Sequence, residues 1–67
     1  MNIFSERIKE LRLENNLTQD ALALKTGISQ SAIANWENGK KSPSIESIVI
    51  LAKFFKCSSD YLLGLED

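Results

Sequence analysis

Ser29 to Gly39 reads S-Q-S-A-I-A-N-W-E-N-G, and the fold turns on this stretch. Ser29 is a good helix N-cap, because its hydroxyl can accept from a backbone N–H in the first turn. Ile33 and Trp36 then share one helical face, and steps of about 100° per residue put Ser31, Ala34, Asn35 and Asn38 on the far side. Gln30 lies on the flank at the N-terminal end, and Gly39 stops the helix. Just upstream, a second short helical stretch opens at Thr18-Gln19 and stops at Gly27, where the missing Cβ permits a sharp change of direction. Two short helices with a glycine at the bend form a helix-turn-helix arrangement. The later helix offers Gln30, Ser31, Asn35 and Asn38, whose amides and hydroxyls can pair with base edges in a DNA major groove.

Working outward, the remaining apolar residues also recur at helical spacing. Phe4, Ile8 and Leu11 predict a first helix from about Ile3 to Glu14, ended by Asn15-Asn16 because Asn tolerates a left-handed cap. In the second helix Asp20 occupies the first turn, Leu22 and Ala23 face inward, and Ile28 turns back into the core after Gly27. Lys40-Lys41-Ser42-Pro43 is a loop. Ser44 caps a fourth helix, Ile45 to about Phe55, with Ile48, Leu51, Ala52 and Phe55 inside. Ser58 opens a short fifth helix, Ser59 to Leu63, ended by Gly64, from which Leu62 and Leu63 are expected to reach the core. No strand pattern or internal repeat occurs. The expectation is an all-α domain of five helices spanning residues 1–67.

Composition limits the chemistry. A chain of 67 residues buries about 60% of the surface it exposes when unfolded, so its single core is modest. One cysteine and no histidine leave no intramolecular disulfide and no finger-type metal site; no metal or cofactor is expected. There is no Gly-rich phosphate loop or nucleophile elbow, and the carboxylates fall on solvated helix faces, so an enzyme is not expected. The N-terminus has neither a basic start nor an apolar run, and the longest apolar run, Ile48 to Ala52, is too short for a bilayer. The expected location is the cytoplasm.

The net charge of −1 counts against nucleic-acid binding, which commonly draws on a basic surplus. Its distribution softens the objection: Lys40 and Lys41 sit together beyond the third helix, while much of the acid lies at Glu6, Glu10, Glu14, Glu46, Asp60, Glu66 and Asp67.

The motifs R-I-K-E-L-R at Arg7–Arg12, L-T-Q at Leu17–Gln19, G-I-S at Gly27–Ser29 and W-E-N-G-K at Trp36–Lys40 follow one another in order. P-S-I-E at Pro43–Glu46, L-A-K at Leu51–Lys53 and D-Y-L-L-G at Asp60–Gly64 complete the series. Each fragment is weak alone. Their order and spacing together resemble the lambda-repressor-like helix-turn-helix family, which includes Cro, phage repressors and xenobiotic-response-element regulators. The resemblance covers nearly the whole chain. It implies a bacterial or phage transcriptional regulator, of repressor type, with the third helix in the major groove of double-stranded DNA. It maps base contacts onto Gln30, Ser31 and Asn35, and backbone contacts onto Gln19, Asn38, Lys40 and Lys41. It has Gln19 brace Gln30, and it pairs Arg12 of the first helix with Glu37 of the third. It further implies a homodimer on a near-palindromic operator, with half-sites about 34 Å apart.

Three positions depart from the family pattern. Lys56 stands where many relatives place glycine, at a cost of about 1 kcal/mol if it is left-handed. Leu24 stands where a charge is usual. Ile50 and Phe54 lie four apart outside the buried stripe, with Val49 beside them. Two readings fit: an exposed association surface for another subunit or a further segment of polypeptide, or Phe54 covering the fifth helix and Ile50 a lone surface residue. Trp36 by phase is core rather than a stacking platform, and Cys57 is a small hydrophobe without a second thiol to resolve an oxidised state. Two rival functions share the fold: an antitoxin binding both DNA and a toxin, and a protein-interaction module that has lost DNA binding, which the acidic pI of about 5.3 favours slightly.

Overall fold

The computed structural model describes residues 2–66. It contains α1 (Ile3–Glu14), α2 (Gln19–Thr26), α3 (Gln30–Glu37), α4 (Ile45–Phe55) and α5 (Ser59–Leu63), with no strand among the described residues. Every helix is opened by a side-chain cap. Asn2, Thr18, Ser29, Ser44 and Ser58 each accept a backbone N–H three residues on, at 2.8–3.2 Å. These caps satisfy donors that a helix start leaves orphaned, typically at about 1 kcal/mol each. Their number matters here, because short helices do not hold themselves together in water.

Packing supplies the rest. α1 lies against α3 and α5, α2 against α3 and α4, and α4 against α5. The shared core consists of Phe4, Ile8, Leu22, Ile33, Trp36, Ile48, Leu51 and Leu62. Leu11, Ala23, Ala52 and Phe55 pack against it half-buried, as their phase predicted, and so does Ile28, as the turn after Gly27 predicted. Leu63 departs from expectation. It is 47% exposed, because α5 ends at Gly64 and only Leu62 points at the core. Gly64 is left-handed at φ +81°, and a Cβ there would stand 2.7 Å from Ile3 Cγ2, so the end of α5 closes on the start of α1 only with glycine.

Arg7 ties the same two helices: its guanidinium sits 4.1 Å from the Tyr61 ring centroid and donates to the carbonyls of Tyr61 and Glu66. The contact combines a cation–π attraction with capping of orphan carbonyls.

Lys56 is left-handed, at φ 56° and ψ 44°, and closes α4 where glycine would be unstrained. Its side chain is exposed. Lys56→Gly is therefore expected to stabilise the domain by about 0.5–1 kcal/mol, the relief of strain exceeding the entropy glycine adds to the unfolded chain. A higher urea midpoint at unchanged slope would register it; no change would mean the left-handed cap is unstrained.

Of the Ile50–Phe54 pair, Ile50 alone is exposed. Ile50 is 39% exposed, but Phe54 is half-buried, packed on the core and edge-on to Phe55 with centroids 5.0 Å apart. Val49 faces another way, lining a groove of about 450 Å³ with Phe4, Ile45, Ile48 and Leu63. The physical reason is the tight α4–α5 turn, which lets Phe54 as well as Phe55 fold onto the core. Leu24 is 86% exposed.

Candidate nucleic-acid interface

The α2–α3 corner rests on Gly27, left-handed at φ +76°, with its N–H bonded to the Ala23 carbonyl at 2.9 Å. Nothing lies within 4 Å of a Cβ built there, so conformation alone requires the glycine. Ile28 and Leu17 close the underside of the corner. α3 is then held from below by Ile33, fully buried, and Trp36, whose ring meets Phe4 edge-on at 5.7 Å.

Its outer side carries the residues expected there. Gln30, Ser31 and Asn38 are exposed, and Asn35 is half-buried. Gln19 is half-buried at the start of α2. Lys40 and Lys41 are exposed just past the C-terminal end of α3. The Lys40 N–H bonds to the Asn35 carbonyl at 2.9 Å and so anchors the loop to the helix. The fold thus gathers six of the seven positions along α3 and its two ends, and Gln19 joins them through Gln30.

That junction is explicit. Gln30 Nε2 donates to Gln19 Oε1 at 2.7 Å, and Gln19 Nε2 donates to Glu37 Oε1 at 3.1 Å. Glu37 in turn takes a bidentate contact from Arg12, Nε to Oε2 at 2.7 Å and Nη2 to Oε1 at 2.9 Å. Arg12 spends its remaining nitrogen on the Leu17 carbonyl at 2.8 Å. Both side chains of the pair are nearly buried, at 11% and 5% exposed. A carboxylate at the C-terminal end of a helix opposes the helix dipole, so Glu37 needs this cation.

Burial pushes the Glu37 carboxyl up, but hydrogen bonds from Arg12 and Gln19, with the charges of Arg12 and Lys9, outweigh it and leave it below the usual carboxylate range. The Glu37 hydrogen bond raises the Arg12 guanidinium against the opposing effect of burial.

Sequence reading missed Ser5. It is fully buried, and its hydroxyl donates to the Trp36 carbonyl, so α1 grips the C-terminal turn of α3 twice, through Ser5 and Arg12. Ser5, Ile8 and Arg12 share one face at helical spacing, the signal that would have found it. Cys57 is half-buried, and burial pushes its thiol up. Among the described residues, no cluster of His, Cys, Asp or Glu could hold a metal ion.

A helix-turn-helix family profile matches residues 8–62. The chain belongs to this helix-turn-helix family of lambda-repressor type. It is 42% identical over 64 residues to the HTH-type transcriptional activator BcrR of Enterococcus faecalis, covering 96% of this chain and 31% of that protein. It is 38% identical over 61 residues to an HTH-type transcriptional regulator of Methanocaldococcus jannaschii, covering 91% of this chain and 92% of that protein. It also matches the crystal structure of the P22 c2 repressor protein in complex with a synthetic operator. There the TM-score is 0.87 at 35% identity, over 98% of this chain and 100% of that one. The chain thus spans about a third of the activator and nearly the whole of the archaeal regulator. The helix-turn-helix proper is α2 and α3, as the glycine at the bend predicted.

Proposed function

We propose that this helix-turn-helix chain binds double-stranded DNA sequence-specifically, as the DNA-reading part of a cytoplasmic transcriptional regulator of repressor type and not as an enzyme. α3 lies in the major groove. Gln30, Ser31 and Asn35 meet base edges, while Gln19, Asn38, Lys40 and Lys41 meet phosphates. The observation that carries this reading is the Gln19–Gln30 hydrogen bond, which pre-orders an exposed amide at the leading end of α3. An ordered amide binds a base without first losing its rotamer entropy. The similarity to a repressor held on an operator supports the same placement.

Gln30→Ala and Asn35→Ala are each expected to cost about 1–3 kcal/mol on a site selected from a random pool, while binding to random DNA is spared. Lys40→Gln/Lys41→Gln should reduce the slope of log affinity against log salt by nearly 2, about 0.9 per phosphate contact. Equal losses on selected and random DNA would remove the base-reading role. Absence of salt-dependent binding in the parent would favour an interaction module.

Two copies on a near-palindromic operator complete the proposal, with the subunit contact along the exposed side of α4, Val49 on one flank and Ile50 on the other, and Phe54 at its edge. Because Phe54 is half-buried, the clean test is Val49→Lys/Ile50→Lys. Sedimentation on DNA should show one bound copy in place of two; unchanged stoichiometry would move the contact elsewhere.

A further inference from the structure

We infer that Glu37, which never meets DNA, decides which base Gln30 accepts. The inference rests on α3 being the base-reading helix. An ionised carboxylate only accepts hydrogen bonds, so the Gln19 group beside Glu37 must be its NH2. The Gln19 oxygen therefore faces Gln30, and Gln30 must turn its own NH2 toward it. One N–H of Gln30 is spent in that contact. Its carbonyl oxygen and its second N–H remain, an acceptor beside a donor.

That pair complements adenine, which offers the N6 donor beside the N7 acceptor, and mismatches guanine, whose O6 and N7 both accept. A free glutamine could invert its amide, though guanine would still need both N–H groups. Here inversion would set the Gln30 oxygen against the Gln19 oxygen, or the Gln19 NH2 away from the carboxylate. The side chain of Arg12 holds Glu37 in place and ionised, so the polarity set in the core is transmitted through two amides to the surface. Glu37 and Gln19 are positioning residues in this chain of contacts.

The test has two arms. In the free parent chain labelled with 15N and 13C, the scalar coupling across the hydrogen bond should link Gln30 Nε2 to the Gln19 side-chain carbonyl and Gln19 Nε2 to the Glu37 carboxyl carbon. Coupling in the reverse sense, or none, overturns the inference without reference to DNA. The second arm is Arg12→Met/Glu37→Leu, which keeps volume in the core and leaves no buried charge. Its preference for adenine over guanine at the base facing Gln30 should fall about tenfold, within the range a bidentate pair supplies. Preference at the base facing Asn35, and affinity for random DNA, should stay as in the parent. Undiminished adenine preference in a folded double variant overturns the inference. Loss of all site preference in the parent itself overturns the DNA reading instead, and the coupling measurement then decides the amide orientation by itself.

Discussion

Arg12→Ala is expected to lose about 3–5 kcal/mol of stability, a large share of what a domain of this size possesses. The loss is not the worth of the ion pair. It is the penalty of leaving Glu37 buried with only Gln19 as a hydrogen-bond donor, together with an unmet Leu17 carbonyl at the entry to α2. Arg12→Met/Glu37→Leu should recover most of it, since two apolar side chains leave nothing unpaired. Urea unfolding of the three proteins checks this; a double variant as unstable as the single one would assign the cost to shape rather than charge. The pair also sets the acid limb. The carboxyl of Glu37 titrates lower in the folded state than in the unfolded chain, held down by the Arg12 and Gln19 hydrogen bonds against the effect of burial. Its contribution is therefore fully present above the unfolded chain's value and disappears as pH falls through the depressed folded one. The double variant should lose stability less steeply in that window.

Trp36→Ala is expected to cost about 3–5 kcal/mol, the range for removing a buried aromatic. Trp36 is 4% exposed, so truncation opens a cavity between α1 and α3 and forfeits the edge-on contact with Phe4. The consequence for function is indirect. Without Trp36, α3 keeps its cap at Ser29 and the Ser5 grip on its last turn but loses the wedge that sets its height above α1. Calorimetry or urea unfolding reads the loss. A variant that stays within about 1 kcal/mol of the parent yet no longer binds DNA would return Trp36 to a stacking role.

Much of this was legible in the residues because each signal is local. Helix starts follow from Thr18, Ser29, Ser44 and Ser58, whose hydroxyls bond within their own first turns. The bend follows from Gly27, since a left-handed residue without strain is a property of one position. The buried faces follow from periodicity, which placed Ile8, Leu22, Ile33, Trp36, Ile48 and Leu51 correctly. The Arg12–Glu37 pair and the Gln19–Gln30 brace came from family resemblance, not from spacing; residues 25 and 11 positions apart carry no local sign of contact.

The misreadings fall where one helix meets another. Leu63 was misplaced and Phe54 left open between two readings, and both lie near helix ends, where the angle of the next element decides which side chain turns inward. Periodicity along one helix contains no information about that angle. Ser5 was passed over because a serine in a helix reads as surface until a carbonyl from another helix is set beside it.

The sequence by itself determined where helices begin, where the chain bends and which stripes avoid water, because caps, glycines and periodic apolar residues act within a few positions of themselves. Only the tertiary structure decided the Gln19–Glu37 contact, which joins the two pairs into one path, Arg12–Glu37–Gln19–Gln30. Hydrogen-bond polarity depends on which donor faces which acceptor across three helices, and that is fixed when the helices pack.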